Sequence, residues 1–127
     1  MPTQSDVRRI ALALPETVEA ADGFHFSVRN KNKLKGFVWV WQERLAPKKP
    51  RVPNPTVIGV RVASLDAKDI LLAMDPETFF TEPHYDGFPA VLVRLAAATP
   101  ARLKQLIEEA WRCQAPKDLV KKFDLSA

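Results

Sequence analysis

The chain has 127 residues, 46% hydrophobic and 27% charged, proportions that suit one folded domain over 1–127 and exclude a disordered chain, a fibrous repeat or a coiled coil. Its 19 Lys and Arg against 15 Asp and Glu leave a net +4, a mild basicity that raises the prospect of a nucleic-acid partner without establishing one. No apolar run approaches the roughly 18 residues of a bilayer span, the opening MPTQSDVRR lacks a signal-peptide core, and the lone Cys113 has no disulfide partner, so no membrane and a cytoplasmic location are expected.

The first helix is signalled by Val7, Ile10, Ala11 and Leu14 at i, i+3, i+4, i+7, with Thr3 or Ser5 as N-cap and Pro15 as the stop. Phe24, Phe26 and Val28 alternate with His25, Ser27 and Arg29, as in a half-buried strand. The turn NKNKLKG leads to Phe37-Val-Trp-Val-Trp41, apolar on both faces. Four prolines then fall in LAPKKPRVPNPT, Leu45 to Thr56. Proline has no N–H and constrains the residue before it, so this segment reads as an extended, partly polyproline loop.

Val57 to Val62 is the next strand, followed by a helix whose Ala67, Ile70, Leu71 and Met74 form an apolar stripe behind Ser64. Thr78 to Phe80 forms a short strand and Ala90 to Leu95 a further one. The clearest helix has Thr99 as cap, Pro100 in its first position and Leu103, Leu106, Ile107, Ala110 and Trp111 on one face. A short last helix starts near Pro116 and buries Leu119, Val120 and Phe123. With no βαβ rhythm, the expected fold is α+β: an antiparallel sheet of four to five strands packed with three to four helices.

No nucleotide-binding glycine loop, nucleophile elbow, zinc-protease helix or paired-cysteine spacing is present. Cys113 adjoins the apolar stripe of the third helix and reads as a buried structural thiol. His25, His84 and Cys113 have no ligand spacing, so no metal and no cofactor are expected. The densest polar and aromatic segment is Thr81-Glu-Pro-His-Tyr-Asp-Gly-Phe-Pro89. Two prolines and a glycine constrain it while it presents His84, Tyr85 and Asp86, either at the rim of a cleft or as a rigid turn covering the core.

Charge is asymmetric. Arg29, Lys31, Lys33, Lys35, Arg44, Lys48, Lys49 and Arg51 are opposed only by Glu43, so this stretch carries +7 and the remainder −3. Arg112, Lys117, Lys121 and Lys122 form a smaller basic group near the C-terminus. Cations on a hairpin and an extended loop can follow phosphates.

Four segments, GFVWVW, KKPRVPNP, FFTEPHYDGFPAVLVRL and AWRCQAPKDLV, together resemble the MmcQ/YjbR family of small bacterial proteins from Val7 to about Val120. The resemblance implies a compact α+β domain related in shape to the frataxin-like CyaY fold. It also implies a monomeric, cytoplasmic DNA-binding protein without a cofactor, and it brings no catalytic residues. Many members carry a lysine- and tryptophan-containing stretch where this chain has Pro83 to Pro89, so His84, Tyr85, Asp86 and Gly87 look characteristic of a variant branch.

The leading expectation is a non-enzymatic DNA-binding domain. Its non-specific, electrostatic contacts would come from Arg29, Lys31, Lys33, Lys35, Lys48, Lys49 and Arg51. The alternative is a small-molecule or protein-binding domain whose pocket uses Trp39, Trp41, His84, Tyr85 and Asp86.

Overall fold

The computed structural model describes residues 2–126. Four helices, α1 (Gln4–Leu12), α2 (Leu65–Met74), α3 (Pro100–Gln114) and α4 (Lys117–Ser126), accompany six strands, β1 (Thr17–Glu19), β2 (His25–Asn30), β3 (Lys33–Arg44), β4 (Arg51–Arg61), β5 (Phe79–Phe80) and β6 (Ala90–Arg94). The strands form one antiparallel sheet in the order β1-β2-β3-β4-β6-β5. The α+β class is as expected, with one strand beyond the expected range.

Helix starts follow their local chemistry. The Asp6 carboxylate accepts from the Thr3 backbone N–H at 2.8 Å, Ser64 Oγ accepts from the Ala67 N–H, and Thr99 Oγ1 from the Arg102 N–H. Each satisfies a donor that the first helical turn leaves open. The Thr3 backbone bond and the adjacent Arg9 guanidinium hold the Asp6 carboxyl below its usual pKa.

Alternation along the strands gives the sheet two distinct faces. Phe26, Val28, Val38, Ile58, Val60, Val91 and Val93 point to the face covered by α1 and α3, where Val7, Ile10, Leu103, Leu106, Ile107 and Trp111 complete the main core. Trp39, Trp41, Val57, Phe80 and Leu92 lie on the other face, closed over by Tyr85.

Four expectations are corrected. The proline segment is loop only as far as Pro50, since β4 begins at Arg51 and pairs Arg51 to Asn54 with Arg44 to Trp41. Prolines 53 and 55 are tolerated because β6 pairs with β4 only from Val57 onward, leaving the first half of β4 as an edge. The register jumps between Val40, opposite Ile58, and Trp41, opposite Asn54, and Asn54 Oδ1 closes this bulge by accepting from the Thr56 N–H and hydroxyl. The turn after β2 is likewise short. Only Lys31 and Asn32 lie outside the strands, with Lys31 at φ 59°, so Lys33 and Lys35 are strand residues.

The stripe on α2 is not buried either. Ile70 is 56% and Met74 79% exposed, Leu71 and Leu72 are half-buried, and the buried residue of that helix is Lys68. Cys113 is exposed, on the flank of the α3 stripe and not within it. Leu119, Val120 and Phe123 of α4 are half-buried and pack against the edge of the core. What holds α4 is the Trp111–Phe123 ring contact at 5.0 Å and a two-point Arg112–Asp124 pair at 2.6 and 3.0 Å. No described helix is long and apolar enough to cross a membrane.

Candidate functional site

The β2–β3 hairpin and the α3–α4 junction enclose an open hollow of about 740 Å³ lined by Lys31, Lys33, Lys35, Lys117 and, as the acid, Asp118. Strand geometry explains the lysine set. Asn30 pairs with Lys33 and Val28 with Lys35, so alternate side chains aim at the side where α3 lies. Arg29, cross-strand from Leu34, projects to the opposite face of the ribbon. The helix junction is fixed against the hairpin because Asn30 Nδ2 donates to Gln114 O at 2.9 Å and Gln114 Nε2 donates to Gly36 O at 3.0 Å.

The basic stretch is divided by the fold. Lys48 and Lys49 lie beyond the far end of the 12-residue β3, roughly 35 Å from the hairpin turn at about 3.3 Å per residue. Arg44 is turned onto its own loop, donating to Pro47 O and Lys49 O. Arg51 is committed as well. It pairs with Glu82 at 3.0 Å and donates to the carbonyl of Gln42, which lies opposite the N–H-less Pro53. Lys31, Lys33 and Lys35 are therefore brought together with Lys117, while Arg29, Lys48, Lys49 and Arg51 are not.

The proposed pocket residues divide between a packed cluster of Trp39, Trp41 and Tyr85 and the exposed His84 and Asp86 of the loop above it. Trp41 is buried with Phe80 edge-on at 5.3 Å. Tyr85 is buried at 8% exposure, and its hydroxyl accepts from Trp39 Nε1 at 2.9 Å. Burial pushes the Tyr85 phenol above its usual pKa, partly offset by that hydrogen bond. His84 and Asp86 are exposed, with the His84 ring edge-on to Tyr85. The loop is held from beneath by Lys68, whose Nζ donates to Tyr85 O at 2.6 Å and Phe88 O at 3.0 Å.

Beside the lysine hollow lies a second, of about 530 Å³, whose lining includes Asp22, His25, Trp39, Arg61, Phe88 and Gln114. Its floor depends on two glycines. A Cβ at Gly36 would collide with the His25 imidazole, and one at Gly59 with the Trp39 indole, so both rings lie flat on the sheet. Phe88, 42% exposed, stands 6.5 Å from Trp39, and the Arg61 guanidinium sits 5.2 Å over the Phe88 ring. Among the described residues, Arg61 Nε is buried without a hydrogen-bond partner. The sequence singled out Trp39 but not Arg61, Phe88 or Gln114. The available signal was a glycine inside each of two apolar strands, which marks close approach by another group.

Partial burial under its neighbours lowers the His25 pKa from the ordinary 6.5, with Asp22 opposing the shift. Arg61 is the other charged group of this hollow. A lowered folded-state value means that the unfolded imidazole takes its proton first, so stability declines as pH falls below about 6.5. Urea midpoints at about pH 7.5 and pH 5.5 should show a smaller drop for His25→Gln than for the wild type. An equal drop in both proteins would exclude His25 as its source.

Among the described residues, no group of three His, Cys, Asp or Glu side chains is placed to hold a metal ion. Desolvation raises the Cys113 thiol pKa, opposed by Arg61, which keeps it a poor nucleophile.

Comparison with known proteins matches the YjbR family model to residues 12–113. Uncharacterized proteins of Mycobacterium tuberculosis and Mycobacterium bovis are 40% identical over 97% of this chain and 96% of their own length. The crystal structure of a Deinococcus radiodurans protein with a DUF419 domain aligns with a TM-score of 0.68 and 17% identity, covering 98% of this chain and 89% of that one. That likeness concerns the fold.

Proposed function

The chain belongs to the YjbR family, and we propose that it acts there as a non-enzymatic nucleic-acid-binding domain that grips the phosphate backbone with the β2–β3 hairpin and the start of α4. The observation that carries this reading is the hollow lined by Lys31, Lys33, Lys35 and Lys117. Lysines act on phosphates as compact point charges on flexible stems. They supply affinity and register but little base-edge information, so binding is non-specific in sequence. The far loop contributes less, because Arg44 and Arg51 are bound to the protein itself.

Four phosphate contacts give a slope of log K against log salt of roughly −3.6 on duplex DNA and about −2.8 on a single strand. Replacing Lys31, Lys33, Lys35 and Lys117 together by Gln should flatten the slope towards zero in fluorescence anisotropy titrations. Replacing Lys48 and Lys49 should leave it within about one unit. The proposal fails if the wild type binds neither duplex nor single strand at about 50 mM salt, where phosphate contacts are strong. It fails equally if the fourfold variant keeps the full slope.

A further inference from the structure

We propose that the nucleic acid this domain takes is single-stranded, with one unpaired base stacked in the hollow lined by His25, Trp39 and Phe88 while its neighbouring phosphates lie in the lysine hollow; this rests on the nucleic-acid reading above.

The two hollows adjoin. Lys35 lines one and its chain neighbour Gly36 the other, and so do Ala115 and Gln114. The seam is pinned at the end of the β3–β4 pairing, since β4 pairs with β3 only as far as Val60 opposite Val38 and Gly36 O lies beyond it, while Val62 N–H continues the β4–β6 ladder to Pro89 O. Gln114 Nε2 takes the vacant place at Gly36 O. The lysines face the α3 side of the sheet and the rings the other, so a strand rounding the edge of β3 at this seam passes from a surface of ammonium groups to a surface of rings.

The ring surface is built ahead of any ligand. His25 and Trp39 lie with centroids 6.0 Å apart and planes tilted by 37°, a nearly continuous apolar shelf over Gly36 and Gly59. Trp39 has its Nε1–H satisfied by Tyr85, so its remaining need is for a partner to its π-face. Phe88 is held at the edge of the shelf by the Lys68 bond to its carbonyl. Arg61 adds a cation there, its buried Nε unpartnered and its guanidinium over Phe88. Stacking rings beside a run of cations is the combination by which single strands are held without sequence preference. A duplex keeps its bases stacked inside and offers the shelf nothing to hold unless a base is flipped out.

The test uses the full chain with an oligo(dT) of about twelve nucleotides and the matching dA·dT duplex. At equal salt the single strand should bind more tightly and quench tryptophan emission. Phe88→Ala and His25→Ala, both at exposed positions, should each weaken single-strand binding by about fivefold to 150-fold, the range of one lost stacking contact. Duplex affinity and the salt slope should stay unchanged, and circular dichroism should confirm that both variants are folded. Equal affinity for strand and duplex, or an equal loss on both in the variants, overturns the stacking inference and leaves the phosphate-binding proposal standing. No binding to either form at about 50 mM salt removes both.

Discussion

Trp111→Ala should cost about 3–5 kcal/mol, the range for removing a large buried aromatic ring, and leave a protein with little stability in reserve. Trp111 is fully buried at the centre of the helix-covered face. Its Nε1–H donates to Pro15 O at 3.0 Å, tying the end of the α1 segment to α3 across 96 positions of sequence. Its ring also receives Phe123, so the same substitution takes away the apolar anchor of α4. Trp111→Phe keeps most of the volume but strands the Pro15 carbonyl, and should cost about 1–3 kcal/mol. Urea denaturation of the two variants separates packing from hydrogen bonding, and a loss under about 1 kcal/mol for Trp111→Ala would show that the site collapses around the cavity.

Lys68→Met should cost about 2–3 kcal/mol. The ammonium is almost completely buried at 5% exposure, and its two bonds go to backbone carbonyls of the Pro83–Pro89 loop. Hydrogen bonds from a charged donor contribute about 1.5–3 kcal/mol each, and releasing a buried ammonium back to water offsets part of their loss. Each carbonyl also keeps a backbone partner, the Phe88 N–H at Tyr85 O and the Ala90 N–H at Phe88 O. The consequence for the loop is more specific than the stability loss. Tyr85 is the chain's one tyrosine, so its ultraviolet titration reads this loop alone. Burial raises its pKa above the ordinary 10, and in Lys68→Met ionisation should return towards that value as the ring loosens from Trp39. An unchanged titration would mean that Trp39 and Phe88 hold the loop without Lys68.

What the sequence disclosed was what local chemistry decides. The α1 and α3 starts were legible because Thr3 and Thr99 act within one helical turn of themselves, and the α3 stripe because five apolar side chains repeat at the helical period. The inward set of β2 was legible by alternation, and β6 as a short apolar run from Ala90. Contacts made by distant partners were not. The three residues of β1 exist because β2 offers them a ladder, and the single apolar Val18 between Thr17 and Glu19 is too short a pattern to mark a strand. Prolines 53 and 55 concealed half of β4, since their tolerance depends on where β6 stops. The stripe on α2 was misread because Ile70 and Met74 have the spacing of a core helix but no element above them. Lys68, the residue that does face inward, is the type least expected there.

The candidate site divided along the same line. The lysines of the hairpin were visible as charge, but their separation from Lys48 and Lys49 follows from the length of β3. Their meeting with Lys117 follows from the Gln114 bonds. The aromatic shelf draws on β2, β3, β4, α3 and the Pro83–Pro89 loop, so no single window of sequence contains it.

The sheet is bounded by its two shortest strands, three residues on the β1 side and two on the β5 side. An unpaired strand edge is a template on which another chain can polymerise, and its danger grows with its length and flatness. Two or three residues offer an incoming strand too few consecutive backbone bonds to repay the entropy of ordering it. The longest strands, β3 and β4, lie inside the sheet order, and the stretch of β4 that β6 leaves open carries Pro53 and Pro55, which donate no N–H to an incoming strand. The protein is thereby protected against self-templated aggregation by the order in which its strands are laid down.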